Sequence, residues 1–227
     1  MKYLYLLLTL TSFAADAADP GSQYQQQAEA GEPRAQFYLA DTWVSSGNYQ
    51  QAEYWAQKAA AQGDGDAMAL LAQLKIRNPQ QADYQQARQL AEKSVQAGSK
   101  AGEIILARVL VNQQAGPTDY AHAIRLLQDA AKDEESDSAV DAQMLLGLIY
   151  ASGVLPPEDD LKAAQYFKGS SALSRTGYAE YWAGMMFQQG EKGFIEPNPQ
   201  KALHWLNVSC QEGFDTGCEE FDRITKG

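Results

Sequence analysis

The sequence is poor in the residues that most often carry catalysis and bind metal ions. It has two histidines and two cysteines in 227 residues, so a zinc site or a histidine-based catalytic triad would have few residues to draw on. No serine is followed three residues later by a lysine, which argues against the acylating serine motif of penicillin-binding enzymes. The segment Gly63-Asp64-Gly65-Asp66 lacks the lysine and the preceding strand of a phosphate-binding loop. We therefore predict that the protein is not an enzyme and holds neither a cofactor nor a metal ion.

Positive charge is also scarce. The chain has 18 lysine and arginine residues against 29 aspartate and glutamate residues, which gives a formal net charge of -11. Binding to a polyanion needs clustered lysine and arginine, so nucleic acid and anionic lipid are not expected as partners. The hydrophobic fraction of 45% is too high for a disordered chain. The composition therefore indicates a folded protein.

Long apolar runs are lacking except at the N-terminus. Lys2 is followed by the apolar run 3–10 and then by small residues, which are the three parts of a secretory signal. Ala15 and Ala17 occupy the small-residue positions of a cleavage site, so we predict cleavage after Ala17, with cleavage one residue later as the alternative. An uncleaved anchor is disfavoured because the run is much shorter than the ~20 residues that span a bilayer. We expect residues 1–17 to be removed as a signal peptide and the mature chain to be exported.

A helical unit recurs along the rest of the chain. An alanine returns every 35 to 40 residues, and an asparagine or aspartate stands four residues before it. The side-chain oxygen of such a residue accepts hydrogen bonds from the free amides of a helix's first turn. The alanines are Ala52, Ala87, Ala123, Ala163 and Ala202, and the capping residues are Asn48, Asp83, Asp119, Asp159 and Asn198. Each alanine is followed by a large and then a small residue on the same helix face, which indicates close packing against a neighbouring helix.

A second pattern marks another helix in each unit. Glycines that end a helix as C-caps stand four residues before several of these helices. Within this helix a leucine or alanine is followed directly by a small residue. The pairs are Leu39-Ala40, Leu71-Ala72, Leu106-Ala107, Leu146-Gly147 and Ala183-Gly184. Each unit is therefore a helical hairpin too small to bury its apolar face alone, and no strand-like alternation appears.

The fold prediction is all-α, an α/α solenoid of about five hairpins that fills residues 18–227. The hairpins are expected at about 35–63, 67–98, 102–132, 142–173 and 179–213, with capping helices at 22–30 and 217–227. Aromatic residues recur at equivalent positions, and we interpret them as core rather than as a ligand cage. They are Trp55, Tyr150, Tyr166 and Trp205.

Two units carry a motif that resembles a known family. Leu146-Gly147-x-x-Tyr150-x-x-Gly153 followed by Asp159-x-x-Lys162-Ala163-x-x-Tyr166 resembles the Sel1-like repeat, a relative of the tetratricopeptide repeat. Ala183-Gly184-x-x-Phe187-x-x-Gly190 followed by Asn198-x-x-Lys201-Ala202-x-x-Trp205 resembles it again, and the other three units are more degenerate. The resemblance implies a periplasmic, non-catalytic scaffold or adaptor that binds a protein or peptide. A structural part of an envelope machine is the alternative, and a cell-wall or β-lactam-acting enzyme is less favoured.

The two cysteines stand close together near the C-terminus. Cys210 and Cys218 are separated by seven residues across a predicted turn between two helices. In an exported protein an even number of cysteines at hairpin distance indicates a disulfide. The same spacing resembles that of cysteine-rich Sel1-like proteins. We predict a structural disulfide that fastens the terminal cap, with two buried free thiols as the alternative.

The acidic run Asp133-Glu134-Glu135-Ser136-Asp137 falls at the longest junction between helices. Its oxygen atoms are the kind of ligand that calcium prefers, but the spacing does not fit the twelve-residue calcium loop with its turn glycine. We interpret the run as a solvated loop.

The resemblance to tetratricopeptide stacks predicts a binding face. In such stacks the first helix of each hairpin lines the concave side, and residues outside its packing stripe face a partner. The residues selected in this way are Phe37, Asp41, Gln73, Arg77, Arg108, Asn112, Met144, Tyr181 and Met185. Exposed aromatic and methionine side chains among polar groups are typical of interface cores. The alternative is that Phe37, Met144 and Tyr181 pack between hairpins.

Overall fold

The computed structural model describes residues 22–77, 82–132, 136–155, 159–173 and 176–226. The predicted signal peptide and residues 133–135 of the acidic run lie outside these ranges. Within the ranges the chain forms helices joined by short turns, with a 3-10 turn at Gln113–Ala115. The helices are α1 (Ser22–Glu29), α2 (Pro33–Ser45), α3 (Tyr49–Ala61), α4 (Gly65–Ile76), α5 (Tyr84–Gln96), α6 (Lys100–Val111), α7 (Tyr120–Ala130), α8 (Asp137–Ser152), α9 (Asp160–Leu173), α10 (Tyr178–Gln189), α11 (Pro199–Gln211) and α12 (Asp215–Lys226).

The helices pack in pairs as five consecutive hairpins. The pairs are α2 with α3, α4 with α5, α6 with α7, α8 with α9, and α10 with α11, while α1 and α12 pack on the two ends. In the described ranges, extended pairing is limited to one isolated bridge between Glu191 and Ile195. The predicted all-α solenoid of hairpins with terminal capping helices is confirmed. Across the same ranges, no helix is both long enough and apolar enough to cross a membrane.

Asparagine and aspartate caps fix where the second helix of each hairpin begins. Each predicted capping side chain accepts a hydrogen bond from an amide in the first turn, over 2.8 to 3.2 Å. A cap of this kind contributes about 1 kcal/mol to helix stability. Asn198 accepts from two amides, and Pro199 follows it at a helix position where no amide is needed. The five helix starts predicted from sequence are therefore correct.

Small residues let the two helices of a hairpin approach closely. The five recurring alanines are all 0 or 1% exposed. On the facing helix, a Cβ added to Gly147 would lie 2.3 Å from a ring carbon of Phe167, and one added to Gly184 would lie 2.6 Å from Leu206. A side chain at either glycine would push the helices apart, because interiors of this density have no spare volume.

Large aromatic residues fill the space beside these close contacts. Trp205 is 1% exposed and meets the ring of Phe167 edge-on, with 4.8 Å between ring centroids. Trp55 is 7% exposed, which places it in the core as predicted. Tyr150 and Tyr166 stack on each other at 5.6 Å but are only half-buried. The core interpretation therefore holds fully for the tryptophans and partly for the tyrosines.

The disulfide forms between the two predicted cysteines. Cys210 at the end of α11 is bonded to Cys218 in α12, and their Cα atoms are 4.5 Å apart. The described ranges contain no free cysteine. The bond ties the last capping helix to the last hairpin.

Candidate binding groove

The first helices of all five hairpins surround one cavity of about 730 Å³. Helices α2, α4, α6 and α8 contact one another in succession, and α10 contributes the remaining wall. We call this cavity the groove. It combines an apolar floor with two charged edges.

One repeat position lines the groove in every hairpin. It stands five residues before the apolar-small pair of the first helix, near that helix's amino-terminal end. These residues are Arg34, Asp66, Ala101, Asp141 and Tyr178. Because the same position returns in each unit, the repeat itself makes this edge continuous from the first hairpin to the last.

An ion pair on this edge joins the first two hairpins, and a hydrogen bond from Ser99 links it to the start of α6. The Arg34 guanidinium lies 2.5 Å from the Asp66 carboxylate, and the Ser99 hydroxyl donates to the same carboxylate over 2.6 Å. Burial alone would raise the pKa of Asp66, but the hydrogen bonds from Ser99 and Arg34 outweigh it and hold that pKa below its usual value. The guanidinium also lies over the ring of Phe37, 4.7 Å from its centroid. These contacts orient the Arg34 and Asp66 side chains at this end of the edge.

The floor between the edges is apolar. It is made by the residue just before the apolar-small pair and by its neighbours on α6, α8 and α10. The floor residues are Leu70, Ile104, Ile105, Met144, Leu145, Leu148, Trp182 and Met186. Trp182 is 41% exposed, which is a large apolar surface to leave in water. The opposite, carboxy-terminal edge carries Asp41, Gln73 and Arg108.

The connection between α10 and α11 closes one side of the groove. We call residues 190–198 the clasp. Arg108 forms an ion pair with Glu191 at 3.0 Å, and the amide of Gln113 donates to the carbonyl oxygen of Gly193 over 2.8 Å. In a simple solenoid each repeat contacts only its neighbours. Here the fifth hairpin is bonded to the third.

Five of the nine predicted binding residues line the groove. They are Phe37, Asp41, Gln73, Arg108 and Met144. Arg77 lies outside the lining, where its guanidinium stacks 3.4 Å from the ring centroid of Tyr49. Asn112 is 2% exposed and donates to the Tyr84 hydroxyl and the Lys192 carbonyl oxygen. Its side chain therefore holds the clasp rather than facing the groove.

The register predicted for the last hairpin is shifted. Tyr181 and Met185 are not in the groove wall, and Trp182 and Met186 are. Tyr181 contacts the ring of Phe214, 5.4 Å away, so α10 is turned toward the terminal cap. For Tyr181 this matches the alternative of packing between elements. The spacing of Tyr178, Trp182 and Met186 is a one-face helical stripe, and that signal was present in the sequence.

The two histidines lie outside the groove lining. His204 is exposed and lies edge-on to Trp205, with 4.8 Å between ring centroids. His122 lies in the first turn of α7, where its amide donates to Asp119. In the part of the chain that the structure describes, no three potential metal ligands cluster together.

The repeats match a known family. A family model for the Sel1 repeat matches residues 33–64, 65–99, 106–133, 140–173 and 177–214. The chain belongs to the Sel1 repeat family. The matched segments cover most of the chain, and Sel1 repeat proteins are generally non-enzymatic interaction scaffolds.

The chain is similar to other Sel1 repeat proteins over most of its length. The Sel1-repeat-containing protein YjcO of Escherichia coli K12 is 66% identical over 227 residues, which is 100% of this chain and 99% of that one. A crystal structure of a Sel1 repeat protein from Klebsiella pneumoniae has a TM-score of 0.90 at 87% identity and covers 91% of this chain and 99% of its own. The protective antigen c5321 of uropathogenic Escherichia coli has a TM-score of 0.51 at 22% identity, over 90% of this chain and 44% of its own, and shows the fold alone.

Proposed function

We propose that the protein is a non-catalytic scaffold that holds a segment of a partner protein or peptide in the groove. The observation that carries this proposal is the single repeat position that lines the groove in all five hairpins. A surface made continuous by the repeat suits an elongated occupant that contacts several hairpins at once. Concave, preformed surfaces with an apolar floor and a few fixed polar groups are typical binding sites.

The chemistry of the lining supports binding rather than catalysis. The residues that line the groove include neither histidine nor cysteine. Both arginines in the lining are engaged by carboxylates of the wall, Arg34 by Asp66 and Arg108 by Glu191. A catalytic site usually places a nucleophile beside a base, or an acid beside a base, with pKa values pushed apart. The groove offers instead a stable arrangement of charges around an apolar floor.

The proposed location is the periplasm. Disulfides persist in oxidising compartments, and the bond between Cys210 and Cys218 supports export. The apolar run and small-residue site at the N-terminus support a cleaved signal. Intact mass of protein released by osmotic shock should show a chain that begins at Ala18 or Asp19. A chain that keeps Met1, or one found in the membrane fraction, would contradict this part of the proposal.

Site-specific photo-cross-linking tests the groove. A photoreactive amino acid replaces Gln73 on the groove edge or, as matched control, Gln57, which is exposed on α3 outside the lining. Under the proposal, a partner protein is cross-linked in cells from position 73 and not from position 57. One stoichiometric product would indicate a permanent assembly, and several substoichiometric products would indicate an adaptor. Equal labelling from both positions, or none from position 73, would overturn the proposal.

A further inference from the structure

The charged residues of the groove are mostly acidic. Among the described residues that line it, six carry charged side chains, four of them carboxylates and two of them guanidinium groups. They are Arg34, Asp41, Asp66, Arg108, Asp141 and Glu191. The lining therefore carries a net negative charge on both edges of an apolar floor.

Both arginines of the lining are already paired with carboxylates of the wall, and about half of each side chain remains exposed. Arg34 lies 2.5 Å from Asp66 and Arg108 lies 3.0 Å from Glu191, so each already has a carboxylate of the wall. A carboxylate arriving on a partner would have to displace one of these, and would leave a partly buried acid without its cation. Glu191 is the clearer case, because its side chain is only 18% exposed. A groove of this charge is therefore less suited to acidic segments.

We propose that the partner segment is amphipathic and cationic. Its apolar side would lie on the floor around Ile105, Leu148 and Met186, and its lysines or arginines would face carboxylates such as Asp41 on the edges. Apolar contact supplies area and affinity, while opposite charges on the edges set orientation and exclude other segments. This inference rests on the proposed scaffold function and specifies the partner's chemistry.

The net charge of the whole chain also favours a cationic partner. A net charge of -11 attracts a cationic segment from a distance and repels polyanions. The methionines of the floor allow it to contact apolar surfaces of different shape, because their unbranched side chains adapt to what they meet. The partner is thus defined by pattern and charge.

Model peptides test the charge class directly. The probes are three fluorescent peptides of equal length: a helical amphipathic peptide of leucine and lysine, a matched peptide of leucine and glutamate, and a shuffled leucine-lysine peptide without an apolar face. We expect the amphipathic leucine-lysine peptide to bind the full mature protein about tenfold more tightly than either control, as judged by anisotropy. Its affinity should fall as salt is added.

A pair of charge variants locates the effect. Asp41→Asn removes one negative charge from the groove edge, and Glu219→Gln removes one from an exposed position on α12 outside the lining. Asp41→Asn should weaken binding of the leucine-lysine peptide about threefold, while Glu219→Gln leaves it unchanged. Equal melting temperatures of the two variants and the unmodified protein would show that both fold.

The outcomes separate this inference from the proposed function. Preference for the leucine-glutamate peptide, equal binding of the shuffled peptide, or equal effects of the two variants would overturn the cationic amphipathic class. If no peptide binds while Gln73 still cross-links to a partner protein, the charge class is wrong and the scaffold function stands. If position 73 cross-links only to a second copy of this chain, the groove is a self-association surface and both are overturned.

Discussion

Trp205 and Trp182 belong to the two helices of one hairpin but have opposite surroundings. Trp205 is 1% exposed and Trp182 is 41% exposed. Replacing Trp205 with alanine empties a core site and should lower the free energy of unfolding by about 3 to 5 kcal/mol. Trp182→Ala should cost about 1 kcal/mol or less, because much of its ring is already in water. It should instead reduce cross-linking from position 73.

Urea denaturation of the two tryptophan variants provides the comparison. Each variant removes a tryptophan side chain, so the difference between their losses of unfolding free energy reports how deeply each side chain is buried. Equal losses of stability would show that the core and the groove floor are wrongly assigned on α10 and α11.

Asp129 contributes to the acid sensitivity of the fold, by an amount that solvent screening keeps small. Its carboxylate is hydrogen-bonded by Lys100 and Lys132, which lower its pKa to about 2. The unfolded chain would have an aspartate pKa of about 3.9. The folded state therefore gains stability from ionised Asp129 above about pH 4, and loses it as the pH falls toward 2. Asp66, whose pKa is also lowered, contributes with the same sign.

Urea midpoints between pH 5 and 2 test this effect. The midpoint of the unmodified protein should fall more steeply on acidification than that of Asp129→Asn. Burial raises the pKa of Glu103, so its effect on stability is opposite to that of Asp129. Ionisation of Glu103 destabilises the folded state as the pH rises. Glu103→Gln should therefore not reduce the fall of the urea midpoint between pH 5 and 2. Parallel curves for Asp129→Asn and the unmodified protein would refute the assignment.

At the scale of elements, the clasp is the feature that departs from a simple repeat. Gly193 has a φ of +84°, and a Cβ there would lie 2.5 Å from the Asn112 side-chain oxygen. That oxygen accepts from the amide of Gln114 over 2.9 Å. An alanine at 193 would have to adopt a left-handed conformation and also displace this buried oxygen.

Gly98 supplies the matched control for the clasp. Its φ is +83°, and a Cβ there would meet nothing within 4 Å. Gly98→Ala should cost only the left-handed conformation, about 1 to 2 kcal/mol. Gly193→Ala should cost about 1 to 3 kcal/mol more, because a buried polar atom loses its hydrogen bond. Equal costs in urea denaturation would mean that the clasp is not held by Asn112.

The disulfide should act on one element. A cross-link closing a loop as short as that between Cys210 and Cys218 stabilises by roughly 2 to 3 kcal/mol in the chain-entropy model. Replacing both cysteines with serine should raise amide hydrogen exchange in α12 first, because a terminal lesion spreads only through its neighbours. The clasp should keep α11 protected. Reduced, unmodified protein should behave like the double variant, and unchanged exchange in α12 would contradict this role.

At the scale of the whole molecule, most of the buried apolar residues that the structure describes fall into two clusters. One cluster joins α1 to α4 and includes Leu39, which is fully buried. The other extends from α4 to α11 and includes Leu146, also fully buried. The clasp lies in the second cluster through Phe194 and Ile195. We expect the second region to unfold as one unit and the first to open more independently.

Hydrogen exchange of two leucine variants tests this division. Leu39→Ala and Leu146→Ala each remove the same buried side chain, with an expected cost of about 2 to 5 kcal/mol. Leu39→Ala should raise exchange mainly in α1 to α4. Leu146→Ala should raise it throughout α6 to α11. Uniform changes in both variants would show a single cooperative unit.

The sequence by itself determined the repeat, the helix starts and the disulfide. Asn48 and Asp83 cap helices through hydrogen bonds that span three residues, so local pattern was enough to find them. Ala123 and its equivalents identify the packed helix face because close helix contact needs a small side chain at a fixed spacing. These features depend on residues close in sequence, and the caps and small residues recur in every unit.

Only the tertiary structure decided the exact wall of the groove. Asn112 was predicted to face a partner but is buried, because it donates to a carbonyl oxygen 80 residues away in the clasp. Tyr181 was predicted in the groove, yet α10 presents Trp182 there instead, because Tyr181 packs against the ring of Phe214 in the turn before α12. Which face of a helix remains open depends on what packs beside it. At the clasp, which lies inside the fifth repeat, and beside the terminal cap, contacts between residues distant in sequence decide the exposed surface.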